Sequence, residues 1–242
     1  MRRLDFWLAA WLAAWAAAAG AESIEIGHFS KARAGAELPQ GWSRYVLGRP
    51  ERITEYDLVE QDGRTVLRAR ADGSLAAVIY RVRADPARTP WLRWSWRVEN
   101  VLAKSDMLSK AGDDFPARVY VLFDYDERKL PLFERVKIAA ARLIYGDPIP
   151  VAALCYVWDN RQPPGFTAWS AYTTRLRMIV ARSGREQAGR WVEESHDVAA
   201  DFRRAFGEEP PPIAAIVVAA DTDNTGEKAV SYFGDISLQD RP

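Results

Sequence analysis

Hydrophobic residues recur along this chain with two periods, and the shorter one dominates. From Trp91 to Val98, Leu92, Trp94, Trp96 and Val98 alternate with Arg93, Ser95 and Arg97. Successive side chains of a strand point to opposite faces, so this spacing predicts a strand with one core face and one polar face. The same spacing follows Asp113-Asp114-Phe115-Pro116-Ala117, where Val119, Val121, Phe123 and Tyr125 alternate with Arg118, Tyr120, Leu122 and Asp124. Shorter runs predict strands at 23–29, 53–59, 65–70, 76–82, 152–158, 173–181, 191–194, 213–220 and 229–238. Asp62-Gly63 between two of these runs predicts a tight hairpin.

The longer period appears twice. Leu132, Phe133, Val136, Ala139, Ala140, Leu143 and Ile144 repeat at helical spacing, with Lys137 and Arg142 elsewhere on the surface. This predicts an amphipathic helix over 131–145, closed by Gly146-Asp147-Pro148. Asp197 is placed to cap a second, short helix through Phe206 that Gly207 ends. Strands do not alternate regularly with helices, which argues against a parallel α/β sheet. The pattern predicts an all-β protein: one antiparallel β-sandwich domain over 22–242, of jelly-roll type and related to carbohydrate-binding modules, with one or two short helices.

The first 21 residues belong to a different class. Arg2 and Arg3 precede an apolar run from Phe6 to Ala19, and Ala19-Gly20-Ala21 offers small residues for cleavage. This reads as a secretory signal peptide over 1–21 and an exported protein, periplasmic or secreted. An uncleaved anchor is the alternative, although the run is shorter than the roughly 20 residues of a spanning helix. No later run is long and apolar enough to span. Cys155 is the only cysteine, so no internal disulfide exists, and its apolar surroundings suit a buried small hydrophobe. The 33 basic and 33 acidic residues argue against bulk attraction to nucleic acid.

Candidate chemistry falls on three residue types. Arg81, Arg83, Arg93, Arg97, Arg118, Arg175 and Arg177 occupy the polar faces of predicted strands. A shared face of guanidinium groups would bind an anionic glycan or another small anion, while a salt-bridged surface is the bland reading. Trp42, Trp158 and Trp169 lie at strand ends or in loops, where a sugar ring could stack on them. Asp113 and Asp114 precede one strand and Asp221 and Asp223 follow another. Such carboxylates could serve glycoside hydrolysis or, as Asp221, Asp223 and Asn224, a calcium ion. The run from Asp221 to Gly226 has the opening of an EF-hand loop, but Tyr232 stands where the twelfth-position glutamate is needed, so that motif is rejected. His28 and His196 lack metal-ligand spacing, and neither a nucleophile elbow, a P-loop nor a dinucleotide fingerprint occurs.

Several segments together resemble a known bacterial family. They are Leu38-Pro39-Gln40-Gly41-Trp42, Leu92 to Val98, Lys110 to Tyr120, Tyr156-Val157-Trp158, Asp201 to Pro211 and Asp221 to Gly226. The set resembles domain of unknown function 3047, from about residue 29 to residue 236. The resemblance implies an exported protein, and it implies no activity and no catalytic residues. The residues themselves support a non-catalytic glycan-binding module. Its expected site is Asp114, Arg118, Tyr120 and Asp124, with Asp113 at the rim, Arg97 on the same arginine face and Trp158 as a stacking surface. Two alternatives remain at this stage: a glycosidase or lyase using Asp113 or Asp114 with Asp221 or Asp223, and an envelope structural component with an exposed apolar patch or sheet edge.

Overall fold

The computed structural model describes residues 22–46, 48–145 and 151–242, with side chains for all of these except 141–145. The signal peptide expected at 1–21 and the turn expected at Gly146-Asp147-Pro148 lie outside the described residues. Thirteen strands and two α-helices are found among the described residues. In chain order they are β1 (Ser23–Gly27), β2 (Trp42–Tyr45), β3 (Glu55–Gln61), β4 (Arg64–Asp72), β5 (Leu75–Ala84), β6 (Trp91–Val98), β7 (Phe115–Phe123), α1 (Leu132–Tyr145), β8 (Ala153–Asp159), β9 (Thr167–Ser170), β10 (Thr173–Ser183), β11 (Val192–Asp197), α2 (Val198–Phe206), β12 (Ile213–Asp221) and β13 (Lys228–Gln239).

The strands form two sheets, ordered β11-β6-β13-β4-β3 with β1 also on β13, and β2-β5-β12-β7-β8-β10-β9. From β4 to β7 successive strands change sheet each time, as β12 and β13 do, which is the strand exchange of a jelly-roll sandwich. Pairing is antiparallel throughout except between β8 and β10. The hairpin predicted at Asp62-Gly63 joins β3 to β4, with φ of 52° and 77° at the two residues, as a primed turn requires.

The alternation seen in the sequence decides what enters the core. Leu92, Trp94, Trp96 and Val98 of β6 face Val119, Val121, Tyr156, Trp158, Ile216 and Val218 of the other sheet. Ring centroids of Trp94 and Tyr156 lie 5.4 Å apart, and those of Trp96 and Trp158 5.8 Å apart. Each fully buried large side chain contributes about 1.5–3 kcal/mol, so a chain without disulfides can draw its stability from this layer.

Two features were not foreseen. Strands β2 and β9 are the four-residue edges of the larger sheet, too short and too mixed in polarity to show a period. The second face of β7, expected to meet solvent, is covered instead. Met107 and Phe166 from loops join Phe115, Cys155, Val157, Met178 and Val180 in a second, smaller core on the outer side of the larger sheet. For that reason all seven residues of β8 are buried.

The helices form where the spacing predicts them. Asp197 accepts a hydrogen bond from the Ala200 amide (2.9 Å), and Gly207 closes α2 in the left-handed region at φ 72°. In α1, Ile138 packs with Leu130 and Val151 against the sandwich, whereas Leu132, Phe133 and Val136 are exposed.

Candidate functional site

Register places Arg118 of β7 between Ala219 of β12 and Val157 of β8, in the interior of the larger sheet. It is 2% exposed, not on a solvated arginine face as the alternation alone suggested. A guanidinium at such a place must be paired, because an uncompensated buried charge is very costly. Its Nε donates to Asp221 Oδ1 at 2.8 Å and its Nη2 meets Asp221 Oδ2 at 2.5 Å. Its Nη1 donates to Asp113 Oδ1 and to the Tyr120 hydroxyl, both at 3.2 Å, and Nη2 also reaches the Asp113 carbonyl. The Phe115 ring lies under the guanidinium, 4.5 Å from its centroid. Burial by itself favours neutral arginine, but Asp221, Tyr120 and Asp113 more than offset that and hold the pKa well above its ordinary value.

Asp114 performs a second structural task. It is fully buried, and its Oδ1 accepts from the Asn224 backbone amide (3.3 Å) and side-chain amide (3.1 Å), while Oδ2 accepts from the Thr225 amide at 2.6 Å. The two acidic segments noted in the sequence thus meet, with Arg118 and Asp114 joining the entrance of β7 to the turn after β12. Burial raises the pKa of Asp113, against the pull of Arg118 and with a push from Asp114. Asp223 is also raised, first by partial burial and then by Asp114.

The residues present do not fit the expected calcium site. Asp114, Asp221 and Asp223 each offer an oxygen within 4.8 Å of the others. Calcium takes roughly six to eight oxygen ligands. Here Arg118 already supplies the positive charge to both Asp221 oxygens, and Asp114 is held by amides. Asn224 is engaged as well: its Nδ2 donates to Asp114 and its Oδ1 accepts from the Tyr172 hydroxyl at 3.2 Å. The same contacts weaken the hydrolase reading. The carboxylates do converge, as that chemistry needs, but Asp114 and Asp221 are buried and bound to protein groups rather than facing a cleft.

Other expected site residues lie elsewhere. Trp158 is fully buried against Trp96, with its indole N–H on the Gly184 carbonyl (3.1 Å), so no sugar can reach its face. Trp42 is buried likewise, and Trp169 packs on Phe206 and under Arg177. Arg97 belongs to the other sheet and pairs with Glu99 (2.8 Å) and Asp62 (3.3 Å). Asp124 lies beyond the far end of β7, ~20 Å along the strand from Arg118 at the usual rise per residue, and it meets Arg83 at 3.9 Å. The arginines counted along the sequence therefore do not share one anion-binding surface.

Tyr120 keeps its expected place on the outer face, and the register shows what surrounds it. Opposed residues across a sheet project from one face, giving the rows Ser43–Ile79–Val217–Tyr120, Tyr45–Ala77–Ala219–Arg118 and Arg81–Ala215–Leu122. Ala77, Ile79, Ala215, Val217 and Ala219 form an apolar floor, against which the half-buried Tyr45, Tyr120 and Leu122 pack. Tyr45 on β2 and Tyr120 on β7 flank this floor across three strand spacings, ~14 Å. Exposed Ser43 and Arg81 add polar groups at its margin. Tyr45 escaped the sequence reading because its edge strand shows no period; that it shares a face with Tyr120, one row apart, follows only from the register of β5 and β12.

No curated protein matches this chain in sequence. Among solved structures it is similar to a family 29 carbohydrate-binding module complexed with mannohexaose, at 13% identity and a TM-score of 0.39, covering 91% of this chain and 92% of that one. A second structure of a family 29 module shows 12% identity and the same TM-score, with 91% and 89% covered. The family model described as protein of unknown function (DUF3047) matches residues 40–237, most of the chain and both acidic segments. The chain belongs to that family.

Proposed function

We propose that this protein is an exported, non-catalytic glycan-binding module whose ligand lies on the outer face of the larger sheet. The observation that carries the reading is the pair of half-buried rings, Tyr45 and Tyr120, packed on the apolar patch of Ala77, Ile79, Ala215, Val217 and Ala219 on that face. Sugar rings present C–H groups to aromatic and apolar surfaces, while neighbouring polar groups take their hydroxyls. Ser43 and Arg81 are placed for the second role. A neutral chain suits this face better than an anionic one. At one end, Asp113, Asp114, Asp221 and Asp223 outnumber the single buried Arg118, which has no capacity left for a ligand carboxylate. The export half of the reading rests on the leader-like sequence at 1–21.

Affinity electrophoresis and titration against neutral and acidic polysaccharides test it. Binding to a neutral chain is expected, with a drop of about tenfold for Tyr45→Ala or Tyr120→Ala and little change for Tyr120→Phe, which keeps the ring. Absence of binding to every polysaccharide sinks the reading, and preference for acidic chains overturns the neutral assignment.

A further inference from the structure

Helix α1 turns its apolar side away from the protein. Successive helical residues are ~100° apart, so Leu132, Phe133, Val136, Ala139 and Ala140 fall in one stripe, with Ile138 on the opposite side. Ile138 is the buried one, held by Leu130 and Val151 with Tyr125 against them. Leu132, Phe133 and Val136 are 72%, 68% and 58% exposed, and both alanines are exposed too. Contiguous apolar surface of this kind on a helix marks a place where something docks.

Charge indicates what docks there. Arg135 borders the stripe on one side and Lys137 on the other, the Lys137 ammonium lying 4.2 Å from the Phe133 ring centroid and 3.3 Å from Glu134 Oε1 in an exposed, salt-screened pair. The helix has three basic residues, Arg135, Lys137 and Arg142, against Glu134 alone, in a chain whose charges balance at 33 and 33 overall. A second copy of the chain would also cover the stripe, but a two-fold contact brings the cationic borders of both copies together. A bilayer with anionic headgroups satisfies both features: the apolar ridge reaches the acyl boundary while the long cationic side chains stay at the phosphates.

We infer that α1 docks this protein on an anionic phospholipid surface, with Leu132, Phe133 and Val136 inserted and Arg135 and Lys137 at the lipid phosphates. Cosedimentation with vesicles tests this, using the chain from Glu22 onward, which holds every described strand. The vesicles are phosphatidylcholine alone and phosphatidylcholine mixed with phosphatidylglycerol. Expected is binding to the anionic vesicles, weakened by salt. Phe133→Glu should lower partitioning about tenfold or more. The double change Arg135→Glu, Lys137→Glu should remove the preference for anionic lipid. These side chains are exposed, so thermal melts of the variants should match the parent, and polysaccharide binding should be unaffected. No cosedimentation, or cosedimentation insensitive to Phe133→Glu, overturns the inference. So does a dimer that Phe133→Glu converts to monomer without any vesicle binding, which would assign the stripe to a second copy.

Discussion

At the scale of single residues, Arg118 shows how burial changes the meaning of a charge. An exposed ion pair is worth about 0–1 kcal/mol. Arg118 and Asp221 are both buried and bound through two contacts, so each depends on the other. Arg118→Leu strands Asp221 and Asp113 without their counter-charge, and a loss of about 3–5 kcal/mol is expected from denaturant unfolding. The double variant Arg118→Leu, Asp221→Leu should recover part of that loss, because an apolar pair of similar volume needs no compensation. Recovery would identify the pair as structural. The sequence showed these residue types and their spacing, but it assigned Arg118 to solvent. Alternation reports which side of a strand a residue takes; it does not report whether loops such as the one bearing Met107 cover that side.

At the scale of elements, legibility followed length and regularity. β6 and β7 run eight residues or more with a sustained period, β12 and β13 are long runs rich in apolar residues, and all four were read from the sequence. β2 and β9 have four residues each, and a period of two cannot be seen in so few. The helices were readable because caps are local chemistry. Asp197 bonds the Ala200 amide from three residues away, so Asp197→Ala should cost about 1 kcal/mol in thermal or denaturant unfolding. α1 was legible as amphipathic, yet its orientation was not. A helix with an apolar stripe normally turns it inward. Here Ile138, off the stripe, makes the contact with the sandwich, and the stripe faces out.

At the scale of the whole molecule, the two sheets share one large core and the larger sheet carries a second core outside it. Cys155 lies in that outer core, on a strand buried on both faces. Burial pushes its thiol pKa well up, so the folded protein should resist thiol reagents at mildly alkaline pH. Labelling followed across a urea series should coincide with loss of the tryptophan signal of the main core. Labelling at lower urea would show the outer core opening separately from the sandwich. No described helix is long and apolar enough to cross a membrane, and the docking inferred for α1 is to a surface. The Tyr45–Tyr120 face and the helix stripe are separate features, so each can be removed by substitution without touching the other.

Period, turn chemistry and caps by themselves determined the all-β sandwich, its hairpin at Asp62-Gly63 and its two helices, because each depends on residues close in sequence. Only the tertiary structure decided that Asp114 holds Asn224 and Thr225, that Trp158 is core, and that Tyr45 and Tyr120 share one face of the larger sheet. Those relations join residues far apart in the chain. They are set by strand order and by what covers each face, which alternation along one strand cannot express.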